Sequence, residues 1–215
     1  MFQFLLVLSG INQALKFLYG QIGSLLLLGL PILWSLGQRK RLKAFATTRG
    51  WLYKPTDRLR EFGHLHKDVE GIRMEIWAGS AFGAKIFGYF STRKHVDMEK
   101  SRPTRRSRKK LRDFKTGNAR FDCMFGTMRG RDKEIQGLAE HPEVLDAVVE
   151  LRRRWVFHVS DLHIGNGYML LYMTYGTPFA YHLPPRVLDK LSADVARVTK
   201  LLDKALGTQG EKNDP

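Results

Sequence analysis

The chain of 215 residues contains one cysteine, Cys123. That excludes an internal disulfide and any zinc site built from several thiolates, and it suits a reducing compartment. Acidic residues are also few. There are 36 Lys and Arg against 21 Asp and Glu, a formal net charge of +15, so the surface carries positive potential and favours phosphate-rich or acidic partners. Several motifs are missing as well. The glycine patches Gly79 to Gly88 and Gly126 to Gly130 have neither phosphate-loop spacing nor a dinucleotide fingerprint opening a helix, and no Gly-x-Ser-x-Gly elbow positions a serine nucleophile. No internal repeat is visible. With about 165 residues beyond the first basic cluster, there is room for one ordinary domain.

A long gap in charge runs from Lys16 to Arg39. As a helix at roughly 1.5 Å per residue, the 22 residues from Phe17 to Gln38 reach about 33 Å, enough for a hydrocarbon core of about 30 Å. The sequence therefore predicts one transmembrane helix over 17–38, with Pro31 as a possible kink. Arg39, Lys40, Arg41, Lys43 and Arg49 follow it, whereas Lys16 and the amino terminus precede it. This asymmetry places the larger portion on the cytoplasmic side of the cell inner membrane as a single-pass protein. Arg39, Lys40, Arg41 and Lys43 form the membrane flank. Before the span, Leu5, Leu8, Ile11, Leu15 and Leu18 recur at three and four residues, the pattern of an interfacial helix. Two rival readings are a secretory signal, disfavoured because no basic residue precedes Phe4, and a two-span hairpin broken at Gly20, Gln21 and Gly23.

The expected organisation is a membrane anchor over 1–49, a cytoplasmic α+β domain over 50–206 and a flexible tail over 207–215. The juxtamembrane helix is expected to stop at Gly50. Asp68 to Ala78 alternates, with Ile72, Met74 and Ile76 on one face, and reads as a strand forming a hairpin with Lys85 to Thr92. Ala119 to Met128 reads as a strand with Phe121, Cys123 and Phe125 on one face, and its cysteine as a buried, inert thiol. Helices are expected over Asp132 to Glu140, Glu143 to Arg153 and Arg186 to Leu206, the last with a continuous aliphatic stripe. Trp155 to Ser160 and Tyr168 to Tyr175 read as a further hairpin. Strand hairpins interrupted by helices, without regular alternation, indicate α+β with mostly antiparallel pairing and a packed carboxy-terminal helix.

Between Arg93 and Lys115, eleven residues are Lys or Arg against the three acids Asp97, Glu99 and Asp113. So little apolar content predicts a mobile basic loop over 93–115. Arg102, Arg105, Arg106, Arg108, Lys109, Lys110 and Arg112 are its candidate contacts to an anionic partner. Lipid headgroups held near by the anchor suit it better than nucleic acid, because only Phe114 is present to stack on bases.

Ser160-Asp161-Leu162-His163, after the apolar run WVFHV, resembles the first metal-binding block of the calcineurin-like metallophosphoesterases. In that family an Asp and a His two residues apart ligate one of two metal ions. The resemblance implies metal-dependent phosphoester hydrolysis with Asp161 and His163 as ligands. That chemistry needs further carboxylate, Asn and His ligands, and the 52 residues after His163 contain no Gly-Asp or Gly-Asn-His block, His182 being the only later histidine. A hairpin turn served by Asp161 and Asn166 accounts for the same residues. His64 and His66, near Asp68, form an H-x-H pair that His158 and His163 could join, but neighbours in sequence supply two zinc ligands where three or four are needed.

The functional expectation is thus a membrane-anchored, non-enzymatic interaction or scaffold protein, an accessory subunit of a membrane complex, with a protein partner in or at the membrane. No catalytic residue, metal or cofactor is expected. The alternatives are an anionic-lipid or nucleic-acid binding module acting through the basic loop and, second, the hydrolase built on Asp161 and His163.

Overall fold

The structure is a computed structural model that describes residues 20, 32–33, 35–57, 61–79, 84–100, 111–165, 167–173 and 185–206. Most of the expected span, the run 101–110 and the tail lie outside the described residues. Among those described, no helix is long and apolar enough to cross a membrane.

Helix α1 occupies 35–49 and ends at Gly50, which adopts a positive φ of 67° while the Trp51 amide donates back to the Ala46 carbonyl. Ala46 is buried, with Leu42 and Phe45 packed beside it, so the folded core begins before Gly50. Strands β1 (Leu52–Lys54), β2 (Glu61–Val69), β3 (Ile72–Gly79) and β4 (Ala84–Tyr89) follow as an antiparallel meander. The alternation in Asp68 to Ala78 is correct for β3, but the segment contains the turn itself. Glu70 and Gly71 have φ of 53° and 83° between the paired Val69 and Ile72, the backbone of a two-residue hairpin whose twist suits the flanking strands.

Strand β5 (Val96–Glu99) and the short β6 (Arg112–Asp113) come next, then α2 (Ala119–Asp122), β7 (Thr127–Gly130), α3 (Asp132–Ala139), α4 (Pro142–Arg154), β8 (Val159–Ile164), β9 (Tyr168–Met173) and α5 (Pro185–Ala205). Among the described residues, nine strands join one sheet in the order β1-β2-β3-β4-β9-β8-β5-β7-β6, with every pairing antiparallel. The protein has a mixed α+β fold with a large antiparallel sheet and a packed carboxy-terminal helix.

Helix α5 lies against β2, β3 and β4 and contacts α3 and α4. Its Leu191, Val195, Val198 and Leu202 are fully buried, so the aliphatic stripe closes the core as its spacing predicts. Gly88 lets the helix approach, because a Cβ there would collide with the Thr199 side chain.

Five expectations are corrected. The basic loop over 93–115 is not a loop throughout. Val96 and Met98 are fully buried in β5, Lys94 is buried against Asp203 at 3.3 Å, and Phe114 packs on the core. Alternation over only four residues, set among cations, hid this strand. Ala119 to Met128 opens as a helix, because the Asn118 side chain accepts the Arg120 and Phe121 amides and nucleates α2. Phe121 and Phe125 do share a face, 5.0 Å apart, but a spacing of four fits helix and strand alike. Cys123, two residues from each, is exposed rather than buried. The strand expected from Trp155 starts at Val159, since Trp155 ends α4 and its indole donates to Asp194. Asp161 and His163 therefore sit within β8, not in a turn; Asn166 lies outside the described residues.

Candidate functional site

Strand alternation sends one set of side chains towards α5 and the other to the opposite face of the sheet. That second face bears a row of rings. His64 stacks on Trp77 with centroids 4.7 Å apart and planes within 9°. Trp77 meets Phe87 at 5.0 Å, Phe87 meets Tyr168 edge-on at 5.5 Å, and Tyr168 meets His163 at 5.8 Å. Tyr89 joins beside Phe87 and Tyr168. The row crosses β2, β3, β4, β9 and β8, ordered by registers such as His64 opposite Trp77 and Tyr89 opposite Tyr168. Cations lie over its margins, Arg73 on Tyr89 and Lys85 on Tyr172.

A histidine–carboxylate cluster stands at each end of the row. At one end are His64 and His66 of β2 and Glu75 of β3, which faces His66 directly in the register. At the other, His163 of β8 lies between Asp97 and Glu99 of β5. In each set the three ligand-type atoms lie within 4.8 Å of one another, so either could hold a metal ion.

The first set is the more enclosed. Glu75 is 7% exposed. Its Oε2 accepts a 2.6 Å hydrogen bond from the Tyr89 hydroxyl, while Oε1 lies 3.5 Å from His66 Nε2 and 3.8 Å from His64 Nδ1. Burial opposes ionisation of Glu75, but the hydrogen bonds from Tyr89 and Trp77 and the nearby histidines outweigh it and hold the carboxyl below its usual range. Burial pushes the His66 imidazole down, so it is neutral at pH 7. Burial and the Glu75 carboxylate together drive the Tyr89 phenol well above its usual value.

The sequence-based candidates scatter. Arg102, Arg105, Arg106, Arg108, Lys109 and Lys110 lie outside the described residues. Arg112 is exposed in β6 and pairs with Asp132 at 3.2 Å. Of the flank, Lys40, Arg41 and Lys43 are exposed on α1, and Arg39 donates to the Glu61 carbonyl at 3.2 Å. Asp161 accepts the Leu162 amide and is not among the residues gathered on His163. His158 joins neither cluster. The third member of the H-x-H set, Glu75, was missed, and its one signal was its place on the polar side of an alternating strand.

A cavity of about 540 Å³ opens elsewhere, between the end of α1, the β2–β3 turn and α5. Its charges are largely satisfied, with Arg49 on Asp189 at 3.1 Å and Lys67 on the Arg49 carbonyl at 2.7 Å.

No protein-family model and no curated protein matches the chain. Among solved structures, the crystal structure of the mycobacterial trehalose monomycolate transport factor A, TtfA, matches with a TM-score of 0.48 at 11% sequence identity, over 80% of this chain and 95% of that one.

Proposed function

We propose that the protein is a membrane-anchored, non-enzymatic interaction or scaffold protein, an accessory subunit that holds its α+β domain at the inner-membrane surface beside a protein partner. The observation that carries this reading is the construction of α1. Its carboxy-terminal half is part of the folded core through Ala46, Leu42 and Phe45, and Arg49 ties it to Asp189 of α5. Just before it, Ile32, Leu33 and Leu36 are 48%, 67% and 55% exposed, immediately ahead of the basic flank. Large apolar side chains clustered in this way mark a surface that a membrane or partner covers, and they continue the uncharged run of the sequence. The helix that carries the basic flank is thus packed into the domain, which on this reading would set how the domain stands on the bilayer.

The test is alkaline extraction of membranes containing the full chain, followed by crosslinking and purification in mild detergent. The chain is expected to stay in the membrane pellet and to carry a membrane-protein partner with it. Release by salt or alkali would overturn the anchoring, and recovery as a free monomer would overturn the accessory role.

A further inference from the structure

We propose that His64, His66 and Glu75 form a binding site for a single divalent cation of the zinc class. The inference goes beyond the anchoring role and is independent of it, because it rests on strand geometry alone. His64 and His66 alternate on one face of β2, and Glu75 is the direct cross-strand neighbour of His66, so all three donors are fixed on paired strands rather than on loops.

Their spacing fits. With zinc–nitrogen bonds of about 2.0 to 2.1 Å, tetrahedral ligand atoms stand roughly 3.4 Å apart. Glu75 Oε1 is 3.5 Å from His66 Nε2 and 3.8 Å from His64 Nδ1, and one donor atom from each residue lies within 4.8 Å of the others. These distances are long for hydrogen bonds. The Nε2 atom of His66, the nitrogen that faces Glu75, is buried without a hydrogen-bond partner, a costly state that a metal ion would relieve.

The surroundings favour ligation too. Tyr89 holds Glu75 Oε2 and leaves Oε1 facing the histidines. Glu61 Oε2 lies 3.5 Å from His64 Nε2, where it would receive that N–H once Nδ1 is a ligand. Outer carboxylates and hydroxyls of this kind orient metal-binding side chains. The cluster on His163 is weaker by comparison. There Asp97 and Glu99 lie 3.8 and 3.7 Å from opposite ring nitrogens, and the three side chains are 17% to 25% exposed.

The experiment is titration of the full chain in detergent micelles with zinc chloride, read by calorimetry and by metal content after dialysis. One zinc per chain is expected, with a thermal midpoint raised by several degrees. His66→Asn and His64→Asn should each abolish stoichiometric binding and the rise in midpoint, whereas His163→Asn should change neither. Tyr89→Phe should weaken binding about 10- to 100-fold while keeping the stoichiometry. Cobalt substitution should give the visible bands of a four-coordinate site in the unaltered chain and not in His66→Asn. Absence of saturable binding at micromolar zinc would overturn the proposal. Binding that survives His66→Asn but is lost in His163→Asn would overturn it equally.

Discussion

Gly88 of β4 lies directly under Thr199 of α5. A Cβ at Gly88 would fall on the Thr199 hydroxyl and within 3.1 Å of its Cβ and Cγ2, and Thr199 is itself fully buried with its hydroxyl unpaired. This one contact sets how closely the last helix can approach the sheet. Gly88→Ala is expected to cost about 1 to 3 kcal/mol as an overpacked core. Thr199→Ala should be nearly neutral, since it removes a buried hydroxyl without a partner. The double variant should recover most of the loss, and chemical denaturation of the four proteins measures the coupling.

Helix α5 contributes the centre of the core. Leu191→Ala and Leu202→Ala, both at fully buried positions, should each cost about 2 to 5 kcal/mol. An exposed docking helix would give little change in unfolding and a loss of partner binding instead, so both are to be measured on the same variants.

The basic segment divides into parts of different weight. Met98→Ala in β5 removes a fully buried side chain from the pairing with β7 and β8, and should cost about 2 to 5 kcal/mol. Replacing 101–110 with a short Gly/Ser linker should move the thermal midpoint by only a few degrees, because that run has almost no apolar content to bury. Deleting all of 93–115 should abolish folding.

Cys123 is the one thiol and is exposed, which makes the unaltered chain its own topology probe. A membrane-impermeant maleimide added to intact cells should leave it unlabelled until the inner membrane is permeabilised. Labelling in intact cells would place the domain on the outer side and remove the basis of the orientation argument.

Acid should destabilise the protein in two stages. The folded state keeps the His66 imidazole neutral, whereas the unfolded chain takes up its proton near the usual 6.5. Stability is therefore complete above that pH and falls below it until the folded imidazole also protonates. Glu75, held below its usual 4.5, adds a loss of the same sign at lower pH. In metal-free buffer, His66→Asn should flatten the decline in thermal midpoint between about pH 7 and pH 5.5 while leaving the lower stage in place.

The near-neighbour features were legible in the sequence. Helix α5 shows in its stripe, α4 in Pro142 at its first position, the end of α1 in Gly50, and the β3 face in Ile72, Met74 and Ile76. Each depends on spacings of two to four residues, which the backbone period converts directly into a face.

Other features depended on strand register. His64 and His66 advertise a pair, but their third partner, Glu75, is one of 21 acids in the chain. It is singled out only by the tight turn at Glu70 and Gly71, which folds β3 back so that Glu75 faces His66. His163 meets Asp97 and Glu99 only because β5 takes its place next to β8. The exposure of Cys123 turned on whether a four-residue spacing of phenylalanines was helix or strand, and the Asn118 cap decided it. Period and hydropathy are local properties of the chain, whereas the pairing of distant strands is chosen by the packing of the whole core, and both histidine–carboxylate clusters are products of that pairing.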